Sequence, residues 1–303
     1  MNTGRMLDPA SGTPFRPARH IIAHPRFATA RNAYIGQLSA LYSGKPFLSH
    51  MMGEAVRAVM FGLIICLHVN YRPDDRASQP TLAKLKRTLQ AYGLTSPRRV
   101  EALIARLIQV GYLRTEAAPG DRRARLLVPC APMIEHDREW LALHYAPLAV
   151  LFPDDPAYRR PLAHDPAFQR EQRRAAGGTI SHSAQALATN PAIILFGSHA
   201  AGFLILAALA DSAIHADDGI ARLPTAELAR RFAVSRAHVR RTLAAARAQG
   251  LLTFDAAEDR GVVLAPSLWS AIDRFIAESM ERHDLTAMRA LRALDASEAD
   301  TGD

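Results

Sequence analysis

Along the segment SPRRVEALIARLIQVGYL, Ser96 to Leu113, apolar residues fall at Val100, Leu103, Ile104 and Leu107. That i, i+3, i+4, i+7 spacing predicts a helix with one buried stripe. Arg98, Arg99, Ala102 and Arg106 lie off the stripe, Ser96 stands at the N-cap, and Gly111 closes the helix as its C′ residue. The same order returns in SRAHVRRTLAAARAQGLL, Ser235 to Leu252, aligned without a gap at an offset of 139. Here Val239, Leu243 and Ala246 form the apolar line, Arg236, Arg240, Arg241 and Arg247 lie elsewhere, and Gly250 ends the helix.

The surroundings repeat as well, which points to duplication. Pro80-Thr81 and Pro224-Thr225 open a shorter helix in each copy, LAKLKRTLQAY and AELARRF, with Thr81 and Thr225 as expected caps. After each glycine comes a short strand (YLRTE; LLTFD), a polar turn (APGDRR; AAEDRG) and a returning strand (ARLLVP; VVLAP). Ala131-Pro132 and Ala265-Pro266 then open a further helix. Apolar helices over Glu54 to Val69 and roughly Ala200 to His215 supply the first element of each copy. The predicted fold is therefore mainly α with small β-wings: tandem winged helix-turn-helix domains joined by helical segments. The expected boundaries are a flexible N-terminal arm (1–30), a first winged-helix domain with flanking helices (31–152) and a connector rich in Pro, Asp and Arg (153–189). A second winged-helix domain with its C-terminal helix (190–294) and an acidic tail (295–303) complete the chain.

The first copy, about Leu82 to Pro132, resembles the MarR family of winged-helix regulators. The resemblance rests on the run LTSPRRVEALIARLIQVGYLR and on DRRARLLVP, Asp121 to Pro129. It implies that Asp121 orients Arg123 toward a minor groove, and that members form dimers with one reading helix per subunit. The second copy follows the pattern more loosely, with Glu258 and Arg260 standing where the wing-tip pair would be.

Charge agrees with a nucleic-acid partner. The chain of 303 residues carries a formal +8, and the two reading segments hold more than all of it: Thr81–Arg125 is +7 and Arg222–Arg260 is +4. The remainder sums to −3, so the positive charge is concentrated where a duplex would be read. In this reading Ser96, Arg98, Arg99 and Arg106 on the first helix face one groove. Ser235, Arg236, His238, Arg240 and Arg241 on the second face another. Lys84, Lys86 and Arg87 hold phosphates, while Arg122, Arg123, Arg125 and Arg260 reach from the wings.

Other chemistry finds little support. Cys66 and Cys130 are far apart and outside any CxxC spacing, which fits a reducing cytoplasm. Residues 191–210 carry no formal charge and are long enough to span a bilayer, but Gly197, Ser198, His199 and Gly202 interrupt them, so no membrane is expected. His136 and His144 stand eight apart, and no HExxH, GxSxG, Walker or GxGxxG pattern occurs; neither an enzyme, a cofactor nor a metal is expected. The expected function is a sequence-specific, double-stranded DNA-binding transcription regulator using its two units as a pseudo-dimer. The alternatives are a plasmid-type replication initiator and a winged-helix protein-interaction module. A homodimer and an unidentified small-molecule effector stay open as partners.

Overall fold

The computed structural model describes residues 4–91, 97–178, 189–255 and 261–300. A two-residue ladder, β1 (Met6–Leu7) with β2 (Pro14–Phe15), precedes α1 (Ala18–Ile22), α2 (Phe27–Tyr42), α3 (Pro46–Met52) and α4 (Ala55–Val69). There follow α5 (Leu82–Ala91), α6 (Pro97–Gln109), the hairpin β3 (Leu113–Ala118) and β4 (Asp121–Pro129), and α7 (Ala131–Leu151). Short helices α8 (Arg159–Leu162) and α9 (Pro166–Ala176) lead to α10 (Pro191–Gly197), α11 (Gly202–Ile214) and β5 (Ile220–Ala221). The chain ends in α12 (Thr225–Arg231), α13 (Arg236–Ala248), β6 (Leu252–Phe254), β7 (Val262–Leu264) and the long α14 (Pro266–Asp300). The protein is mainly helical, and its sheets are small and antiparallel.

The two copies share the same backbone hydrogen bonds where the helix ends and the hairpin closes. Gly111 and Gly250 take φ of +76° and +68°, a left-handed conformation that costs glycine little. At both ends the residue after the glycine donates back into the helix, Tyr112 N to Leu107 O (2.9 Å) and Leu251 N to Ala246 O (3.0 Å). The hairpins then close alike, by Cys130 N to Tyr112 O (2.9 Å) and Ala265 N to Leu251 O (3.0 Å). A third chain segment lines each hairpin. Thr81 forms a single bridge with Leu126, and Ile220–Ala221 pairs with Val263–Val262. The copies part at the next helix. Thr81 caps α5 through its hydroxyl, which accepts from Lys84 N (3.2 Å). Thr225, expected to cap α12, is instead that helix's first residue; Pro224 takes the cap position and offers no side-chain acceptor.

Upstream, each copy has a short helix opened by a proline, a sharp bend and a long apolar helix: α3 bends into α4 by 93°, and α10 into α11 by 114°. No single helix among the described residues is long and apolar enough to cross a membrane, and the uncharged stretch 191–210 is broken by the second bend. Both bends meet. A Cβ on Gly53 would lie 2.5 Å from Ala201 Cα, and Phe203 N donates to Gly53 O (3.2 Å). Only glycine permits that approach.

Buried apolar residues from Ile21 to Leu294 form one contiguous core. Helix α2 packs on both α7 and α11, so one helix belongs to the surroundings of both copies, while α14 packs along α9, α1 and α7. The stretch read as a connector is itself helical in α8 and α9. Phe168 is fully buried and Arg173 makes a buried pair with Asp137 (2.6 Å), so charged composition there hides a core element. Arg5 and Arg16, within the arm expected to be flexible, are likewise tied down rather than loose. The carboxylate of Asp284, wholly buried, accepts from Arg16 N (2.6 Å) and the Tyr158 hydroxyl (2.6 Å), and pairs with Arg5 (3.1 Å) and Arg16 (3.3 Å). At the other end α14 continues to Asp300, into the segment expected to be a tail.

Candidate nucleic-acid interface

Two helix faces are at issue, and the buried stripe of each decides what the other side shows. On α6, Val100, Leu103, Ile104 and Leu107 are buried, which turns Arg98, Glu101, Ala102, Ala105 and Arg106 to solvent. On α13, Val239, Thr242, Leu243 and Ala246 are buried, leaving Arg236, Ala237, Arg240, Arg241, Ala244, Arg247 and Ala248 exposed. Ser235 caps α13, its hydroxyl accepting from His238 N (3.1 Å).

The arginines differ in how far they are already committed. Arg99 donates to the buried Glu54 at the α3–α4 bend (2.6 Å), and Glu54 also meets Arg57 (3.2 Å). Lys86 pairs with Glu101, Lys84 Nζ donates to Ala77 O (2.6 Å), and Arg106 donates to Gln109 (2.8 Å). Arg87 and Arg98 are exposed and make no ion pair or hydrogen bond among the described residues. On α13, Arg236, Arg240 and Arg241 are all exposed and uncommitted in the same sense, with exposed Ala237, Ala244 and Ala248 among them and Arg247 further along, its guanidinium over the Phe254 ring (5.5 Å). Small side chains let a helix backbone come close to a partner, and arginines on that face reach outward from it. The second helix, the looser match by sequence, thus presents the more available positive surface.

His238 turns away from that surface. Its Nε2 lies 2.9 Å from Ala200 O at the α10–α11 bend, and the residue is half-buried. His238 stands at the position equivalent to Arg99, and each binds the bend of its own copy. Since the bends touch through Gly53 and Ala201, the beginnings of α6 and α13 are fixed to one crossing point.

In the first hairpin the tip turns at Gly120, φ +74°. Asp121 accepts from the main-chain N–H of Arg123 (3.0 Å) and Ala124 (3.3 Å), and its other oxygen meets Arg76 (3.2 Å). The carboxylate therefore holds the backbone of the turn, not the guanidinium of Arg123, which is exposed and unpartnered among the described residues. Arg125 reaches Thr115 Oγ1 (3.3 Å). Ser96, Arg260 and the side chain of Arg122, all expected at the interface, lie outside the described residues. Arg76, not singled out from the sequence, joins this hairpin, held by Asp121, and Arg230, likewise not singled out, is exposed near the end of α12. Arg230 had a local signal, the Arg230-Arg231 pair; Arg76 had none, being 45 residues from the carboxylate it meets.

Comparison with models of protein families, with curated proteins and with solved structures returns no match.

Proposed function

We propose that the protein is a sequence-specific, double-stranded DNA-binding transcription regulator. Its two helix–helix–hairpin repeats act as winged helix-turn-helix units of MarR-like design on one duplex, as a pseudo-dimer within one chain. One observation carries the reading: the solvent face of α13 holds three uncommitted arginines, Arg236, Arg240 and Arg241, over a floor of alanine, at the equivalent place to the exposed face of α6. A solvated surface helix ordinarily mixes both signs of charge; this face has one sign only. The fixed crossing of the two bends supports a pseudo-dimer, because it sets the spacing of the two helices without a second chain.

Each phosphate neutralised by an arginine releases counterions and steepens the salt dependence of binding by about 0.9 in log K per log salt. Duplexes selected from a random pool, followed by anisotropy titration between low and moderate salt, test the reading. Replacing Arg240 and Arg241 together by Ala is expected to weaken binding at least tenfold and to reduce the salt slope by about 2. Affinity unchanged by that replacement removes α13 from the interface. A replication initiator would use the same surfaces; genome-wide immunoprecipitation of the tagged protein that recovers clustered direct repeats, in place of one promoter-proximal site, would favour it.

A further inference from the structure

The two bends are packed on each other at more than one point. A Cβ on Gly53 would lie 2.5 Å from Ala201 Cα, and one on Gly197 would lie 3.2 Å from Ala55 Cβ, while Phe203 N donates to Gly53 O (3.2 Å). Backbone is pressed on backbone there, and interiors so densely packed do not deform continuously. Each bend also holds the third residue of the helix that it serves. Arg99 of α6 donates to the Glu54 carboxylate (2.6 Å), and His238 of α13 lies 2.9 Å from Ala200 O. Glu54 is itself buried and meets Arg57 (3.2 Å), so its carboxylate has little freedom to move.

These links make one continuous path from α6 to α13, through Arg99, Glu54, Gly53, Ala201, Ala200 and His238. Laid end to end on a straight line, with standard bond lengths, they span about 33 Å between the Cα atoms of Arg99 and His238. A path through two side chains and across a bend is far from straight, so the true separation is smaller. Arg99 and His238 occupy equivalent places in the two copies. Reading helices that enter successive major grooves on one face of a duplex stand a helical turn apart, about 34–36 Å between equivalent points. The starts of α6 and α13 are therefore too close for that arrangement. Close by, each helix still offers free positive charge: Arg98 on α6, and Arg236, Arg240 and Arg241 on α13.

We propose that α6 and α13 enter a single major groove and read one unbroken, asymmetric site shorter than a helical turn, with no spacer between two half-sites. The inference rests on the DNA-binding reading, and its test separates the two. A duplex selected from a random pool by the full-length protein is probed by missing-base interference. Wild type, Arg98→Ala and the double variant Arg240→Ala/Arg241→Ala are compared, each at a concentration that restores occupancy. A base whose loss ceases to matter in a variant is one that the replaced side chain reads. The bases assigned to α6 and to α13 are expected to adjoin, all within about 10 base pairs. A duplex of about 14 base pairs centred on them should bind within about threefold of one twice as long. Two sets of bases centred a full turn or more apart, a short duplex bound more than about tenfold more weakly, or no base assigned to α6 overturns the single-groove proposal and leaves DNA binding standing. Failure to select any duplex overturns both.

Discussion

His144 is held neutral chiefly by burial, and its hydrogen bonds fix which nitrogen carries the proton. Its Nδ1 lies 2.8 Å from Trp140 O, which can only accept, so Nδ1 carries the hydrogen. Nε2 is then the acceptor for the Tyr34 hydroxyl at 3.0 Å. No site is left for a second proton without breaking that bond. Burial, the largest cause, with Arg173 and Arg282 nearby, pushes the imidazole down to about 3 from an ordinary 6.5. The unfolded chain therefore binds a proton below pH 6.5 that the folded chain refuses. Stability is full above that pH and falls as pH drops, by up to about 1.4 kcal/mol per pH unit for such a group. Thermal unfolding between pH 7 and pH 5 should show Tm declining in wild type and declining less in His144→Phe. Parallel curves would exclude His144 as a source of the slope. The pairing was half-legible in sequence. His136 and His144 stand eight apart, and their partners Tyr42 and Tyr34 stand eight apart on the facing helix, with Tyr42 Oη 3.2 Å from His136 Nε2. The spacing was visible; what it matched was a tyrosine pair roughly a hundred residues away, which no local pattern shows.

Helix ends that depend on nearby bonds are legible in the sequence, although Thr225 does not cap α12. Gly111 and Gly250 end α6 and α13 as expected, and Ser235 caps α13, because each depends on bonds within a few residues. The bends before α4 and α11 depend on another part of the chain, and their sequences looked only like interruptions. Gly53 is the clearest instance. A methyl group there would meet Ala201 Cα at 2.5 Å and Ser49 O at 2.6 Å, both backbone atoms without a flexible end to yield. Gly53→Ala is expected to destabilise the protein by about 1–3 kcal/mol through overpacking, read as a lowered urea midpoint. Gly62→Ala, in the neighbouring helix and against open space, should instead gain up to about 1 kcal/mol from helix propensity. Equal effects at the two glycines would mean that the crossing of the bends is not a tight contact. The same crossing explains why Arg99 and His238 are drawn from the expected groove face: each satisfies the bend beneath it, Arg99 through Glu54 and His238 through Ala200 O.

At the scale of the whole molecule, composition suggested two units with a linker between them, and packing joins them instead. The reason lies in residues whose chemistry misleads a reader of composition. Arg173 sits in a stretch rich in charge and proline, yet is buried on Asp137 of α7; Arg16, in the basic first residues, is buried on Asp284 of α14. A charge with a partner far along the chain looks like solvated linker until the partner is known. Helix α2 packs against one repeat through α7 and the other through α11, so neither repeat can lose its fold without exposing α2. Chains of this length commonly unfold in steps, which makes the opposite outcome informative. The two tryptophans report separately, Trp140 from α7 and Trp269 from α14. Trp140→Phe and Trp269→Phe each leave one reporter, and urea unfolding of both, followed by fluorescence and circular dichroism, should give coincident midpoints by either probe. Midpoints that separate, with Trp140 and Trp269 reporting different transitions, would mean that the repeats are independent bodies. The fixed spacing on which a one-chain pseudo-dimer depends would then be lost.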